Sequence, residues 1–204
     1  MNNKMHTILD DAWEMKEELM GGAAQTLRIG LITNTVMNSI PTVIPDISEL
    51  MPDDEKFKVD FSNIESLNVP VLLHFEINEL QLAILVVRDK DSNHIQCYPF
   101  NDLNEDKRWW AYEMAFDLTP DGRVEIRPVH PLLEEVDFNP DEQMMNHLEA
   151  LALVVSAFVY RFQKDEITLV EETEDFSKIN KKRAKSKKAP IVNNWIVKYV
   201  KSED

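Results

Sequence analysis

Cysteine is almost absent from this chain. Cys97 is the one thiol among 204 residues. No intrachain disulfide framework is therefore possible, and the composition suits a reducing cytoplasm. Glycine is nearly as scarce, with four residues. That argues against phosphate-cradling glycine loops and hairpin-rich barrels. There is no Walker motif and no GxGxxG. Long apolar runs are missing as well. The longest, Ala150 to Tyr160, falls short of the roughly 18 residues that span a bilayer, and reads as a buried helix. The first sixteen residues show no apolar run behind a basic flank, which excludes a signal peptide. The expectation is a soluble cytoplasmic protein with no membrane partner. Its 44% hydrophobic and 29% charged residues are ordinary for a globular domain, and its length suffices for a core.

Positive charge is short everywhere except in one place. Residues 1–177 carry 13 Lys/Arg against 35 Asp/Glu, a balance of −22. Residues 178–201 carry nine Lys/Arg and no acid. Six of the eight residues from Lys181 to Lys188 are basic, although the whole chain stands at −15. Such asymmetry speaks of partners and solubility rather than of fold.

Periodicity divides the chain into an N-terminal helical part, a β middle, one long helix and a closing strand. Ile8, Ala12, Met15 and Leu19 share one face of a helix over residues 7–20, stopped by Gly21-Gly22. Residues 23–37 lean towards a second helix. Three prolines and three acids make residues 41–53 an extended connection. Residues 69–77 and 80–88 are apolar on both faces and read as central strands joined at Asn78-Glu79. Further strands are predicted at 94–100, 109–117 and 123–129, the last two joined by the turn Thr119 to Gly122. Consecutive hairpins of this kind make an antiparallel meander. Asn139-Pro140-Asp141-Glu142 starts a helix that runs to about Lys164, with Met144, Leu148, Leu151, Val155, Phe158 and Phe162 as its stripe. Residues 167–170 suggest a short strand, 171–177 an acidic loop, 178–191 a basic crossover and 192–200 a terminal strand joining the sheet. The predicted fold class is α+β. It has a mostly antiparallel sheet of five or six strands on one long helix and a smaller N-terminal helical part. Residues 1–177 form the acidic body and 178–204 the basic crossover and last strand, within one domain.

Few constellations offer chemistry. His74 and Glu76 would share a strand face as a ligand and an acid/base, but a zinc nucleobase deaminase needs a later Pro-Cys-x-x-Cys, and one cysteine cannot supply it. His94 is a possible cross-strand neighbour of His74, giving a two-His, one-carboxylate set with Glu76. No serine sits in the glycine frame of a nucleophile elbow, and Cys97 lies within an apolar strand pattern where a thiol is usually inert. No metal ligand set and no cofactor is assigned. Arg108-Trp109-Trp110 places an exposed aromatic beside a cation, a form of partner or base-stacking contact. Lys181, Lys182, Arg183, Lys185, Lys187 and Lys188 carry the most functional content. They fit phosphate neutralisation on nucleic acid, docking against an acidic protein surface, or a solvated linker. The acidic body has its own reading as a nucleic-acid mimic, although Asp53-Asp54-Glu55 and residues 171–175 are not regularly spaced.

The run Asn180-Lys181-Lys182-Arg183-Ala184-Lys185, two further lysines, Pro190 and a short closing strand resembles uncharacterised proteins of tailed bacteriophages. So do the long apolar helix before it and the strand start Asn68-Val69-Pro70-Val71 leading to Phe75-Glu76. The resemblance covers about residues 65–200, with the last 22 of these the distinctive part. It carries no assigned activity. It implies a small phage protein acting inside an infected bacterium. The expectation is thus a non-enzymatic protein that binds a host or phage macromolecule through Lys181–Lys188, with Arg108 and Trp109 or Trp110 as further contacts. An acidic inhibitor and a small hydrolase or metal enzyme around His74, Glu76 and His94 stand as alternatives.

Overall fold

A computed structural model describes residues 10, 32, 34–53, 57–62, 69–77, 80–91, 93–101, 110–111, 114–128, 142–188 and 190–200. Nine strands are described: β1 (Ile40–Val43), β2 (Val71–Ile77), β3 (Leu80–Arg88), β4 (Ile95–Asn101), β5 (Trp110–Ala111), β6 (Met114–Leu118), β7 (Val124–Pro128), β8 (Ile167–Glu171) and β9 (Trp195–Tyr199). Three helices join them: α1 (Ile47–Leu50), α2 (Glu142–Gln163) and α3 (Ser177–Lys185). A helical turn at 34–37 precedes β1.

All the strands belong to one sheet. Eight follow the order β7-β6-β4-β3-β2-β1-β9-β8, and β5 pairs with the end of β4. This corrects the expected sheet of five or six mostly antiparallel strands on one helix. The sheet is larger and mixed, because β1 runs parallel to both β2 and β9. It joins an antiparallel set, β2 to β7, to the antiparallel pair β8-β9. Proline hid this strand from the sequence reading, which took residues 41–53 as a connection. Ile40 and Ile44 donate their N–H groups to Pro70 and His74 carbonyls, so alternate donors of β1 face β2. The missing N–H of Pro41 faces the other way, where pairing with β9 begins only at Thr42. The rest of the supposed connection holds α1, whose first turn is capped by Asp46 accepting from the Ser48 N–H at 2.8 Å.

Pro99 marks a second departure. β4 continues through it to Asn101, and the strand expected over 109–117 is two, β5 and β6. β6 pairs with β4 up to Cys97 and β5 pairs from Phe100 onwards. Pro99 falls in the gap, where a missing donor interrupts neither ladder. The N-terminal helix expected over 7–20 lies outside the described residues apart from Asp10, as does the Asn139–Asp141 cap.

The two-sided apolar character of β2 and β3 follows from a layer on each face. Val71, Leu73, Phe75, Leu82, Ile84 and Val86 pack with Leu148, Leu151, Val155 and Phe158 of α2. Leu72, Ala83 and Leu85 point to the opposite face and meet Ile32 and Val36. Arg161 fastens the end of α2 to α1. Its guanidinium donates to the Leu50 and Met51 carbonyls at 2.6 and 2.9 Å and to Glu166 at 2.8 Å. These bonds satisfy carbonyls that the end of α1 leaves open. No described helix is long and apolar enough to cross a membrane.

Candidate functional site

The basic segment is a helix and not an unstructured crossover. α3 stands in the connection between the antiparallel neighbours β8 and β9, and none of its residues is buried. The arm is fastened by polar ties at its base. Asn180 donates to the Ile191 carbonyl at 2.8 Å and accepts from the Ile191 N–H at 2.7 Å. Asn193 accepts from the Glu174 N–H at 3.1 Å and donates to Glu171 at 2.9 Å. Asp175 accepts from the Ser177 N–H at 2.9 Å as the helix begins.

Helical geometry sorts the cations into two groups. At about 100° per residue, Lys178, Lys181, Lys182 and Lys185 fall within an arc of about 100°. All four are exposed. Arg183 projects from the opposite side and forms an ion pair with Asp10, both side chains being partly covered. Thus the arginine is neutralised by the acidic body and the lysines are not; no described carboxylate forms an ion pair with them. Lys187 and Lys188 extend the charge beyond the helix and are also exposed. Lys187 has φ of +53°, a conformation that glycine normally fills at a helix end. The Lys188 N–H closes the end by donating to the Arg183 carbonyl at 3.0 Å. A lysine at this strained place costs about 1 kcal/mol relative to glycine. Three cations in the last turn also complement the helix dipole.

Of the predicted contacts, the structure therefore keeps Lys181, Lys182, Lys185, Lys187 and Lys188 on a free surface and assigns Arg183 an internal partner. Lys178 completes the face and was missed, because its i, i+3, i+4 and i+7 relation to the others emerges only when the segment is read as helical. Arg108 and Trp109 lie outside the described residues; Trp110 contributes its backbone to β5.

The alternative chemistries fare differently. His74 and His94 are not brought together. β3 lies between their strands, His74 is level with Ala83, and Ala83 is level with Phe100. His94 is six residues from Phe100, about 20 Å along the strand. His74 is buried and Glu76 accepts a hydrogen bond from the cross-strand Gln81. Among the described residues no group of three metal-ligating side chains is assembled. Cys97 is buried, and burial first, then the Asp117 charge, pushes its thiol pKa well above the ordinary value. Glu171 and Asp175, from the acidic loop, are engaged in holding α3.

No family model, curated protein or solved structure matches this chain.

Proposed function

We propose that the protein is a non-enzymatic binding protein whose α3 lysines engage the phosphate backbone of a nucleic acid. One observation carries this reading. Lys178, Lys181, Lys182 and Lys185 share one exposed face of a helix that buries nothing, while the cation on its other side is held by Asp10. A helix that contributes no core has no packing reason to keep four like charges together, and like charges at i, i+4 destabilise it. Phosphates would offset that repulsion and release counterions. The recognition is of charge and not of sequence, since lysines on phosphates position a protein without reading bases. The setting we propose, from the phage resemblance, is an infected bacterium.

The test is fluorescence anisotropy with a labelled DNA duplex across a salt series. Four engaged lysines give a log–log slope of about −3.6, at about −0.9 per phosphate. Changing Lys178, Lys181, Lys182 and Lys185 to Gln should remove most binding and flatten the slope. Undiminished binding by that variant, or no salt-sensitive binding by the wild type at low salt, overturns the reading.

A further inference from the structure

A concavity of about 330 Å³ opens on the α2 face of the sheet, between the segment 57–61, the β6–β7 turn and the middle of α2. That volume is at the small end of the range for ligand sites. Its two long walls are braced separately. On one side, Phe57, Val59 and Phe61 recur at alternate positions and pack against the core, yet each stays half-buried. Gln163 of α2 ties their segment down. Its Oε1 accepts from the Asp60 N–H at 2.9 Å, and its Nε2 donates to the Asp60 carbonyl at 2.7 Å. The Phe57 ring meets Tyr160 at 5.4 Å between centroids.

On the other side stands the turn from Thr119 to Arg123. The Thr119 N–H donates to the Arg123 carbonyl at 3.0 Å, and the Arg123 N–H donates to the Thr119 hydroxyl at 3.0 Å. Gly122 supplies the left-handed residue of the turn, at φ of +81°. Leu118 and Val124 flank the turn and line the same wall. Between the walls α2 presents Ser156, whose small side chain leaves the space open. The charged groups of the lining are not equally available. Asp121 accepts from the Thr119 hydroxyl and pairs with Arg123 at 2.6 Å, and Arg123 also reaches Glu125 at 3.9 Å. Lys58 lines the concavity, is exposed, and forms no ion pair with a described residue. It is the cation left for a ligand.

We propose that this concavity binds a small monocarboxylic acid with an apolar body. The body lies between the half-buried Phe57, Val59 and Phe61 on one side and Leu118 and Val124 on the other. The carboxylate stays at the solvent side, where the Lys58 ammonium, a point charge on a flexible stem, can reach it. An acid group carried further in would lose its hydration among apolar side chains. Alkyl and aryl acids share this chemistry. An amine of the same shape is disfavoured, because Lys58 repels it.

The experiment is a titration of the ¹⁵N-labelled full chain at low salt with octanoate or hydrocinnamate, reading the amide resonances of Val59, Thr119, Gly122 and Ser156. One acid or both should give saturable shifts at millimolar concentration, and which of them does so separates alkyl from aryl recognition. The alcohol of the same carbon skeleton should bind about threefold more weakly than the better acid, since an exposed ion pair contributes little, and the amine more weakly still. Lys58→Gln changes an exposed side chain and should bring acid and alcohol to equal affinity. Ser156→Leu fills the space from α2 and should abolish the shifts from both. Absence of saturable shifts from both acids overturns the proposal. So does the amine binding as tightly as the acid, an acid preference that persists in Lys58→Gln, or wild-type affinity in Ser156→Leu.

Discussion

α2 and α3 are both helices of one small chain, yet they are held by opposite means. α2 buries Leu148, Leu151, Ala152, Val154, Val155, Ala157, Phe158 and Val159 against the sheet. α3 buries nothing and depends on hydrogen bonds at its base and one ion pair. The sequence of α2 answers to packing, where a lost methylene is felt. The outer face of α3 has no ion-pair partner among the described residues. Its composition is free to be set by what lies outside the molecule, and what it carries is lysine.

The contrast can be broken most forcefully at Phe158, which is fully buried and stacks on Phe162 with ring centroids 6.0 Å apart. Phe158→Ala should cost about 3–5 kcal/mol of unfolding free energy, measured by urea denaturation. Leu153 lies on the same helix but is half exposed. Leu153→Ala should stay within about 1 kcal/mol. Equal losses at the two positions would mean that α2 is not oriented on the sheet as described.

How much of this was legible beforehand depended on whether local pattern and tertiary setting agreed. The apolar stripe of α2 and the two-sided β2 and β3 carry their burial in their spacing. β1 does not, because the prolines that argued for a loop are harmless only given where β9 starts. The α3 cations were visible as a cluster, but their division into a lysine face and an internal arginine depends on Asp10, 173 residues away. The hydrogen bonds of Arg127 to Asp117 and Tyr98 were not legible. Gln96, Tyr98, Asp117 and Arg127 are spread over three strands and become neighbours only through register.

A subtler perturbation separates the arm from the body. Asn180 is the hinge pin of α3, with two hydrogen bonds to the Ile191 backbone. Asn180→Ala should remove about 1–2 kcal/mol of local stability. The loss should appear as faster amide exchange from Ser177 to Ile191, while β2 and β3 keep their protection. Exchange accelerating equally across the sheet would show that the arm and body unfold as one unit, and the comparison with α2 would lose its meaning.

The smallest effect is expected where α3 begins. The Asp175 carboxylate is held below its ordinary pKa by the Ser177 N–H and then by the Ser177 hydroxyl. A depressed carboxylate stabilises the folded form at pH above its unfolded value and loses that contribution as pH falls through its folded value. The window therefore lies below about pH 4. Because Asp175 is fully exposed, its protonation should loosen only the first turn of α3 and leave α2 untouched. An NMR titration should show the Ser177 amide moving with the Asp175 carboxyl, and Asp175→Ala should abolish the Ser177 response. If the Ser177 amide instead follows a carboxyl elsewhere in the chain, the start of α3 is anchored by another group, and the arm is tied to the body more tightly than its exposed face implies.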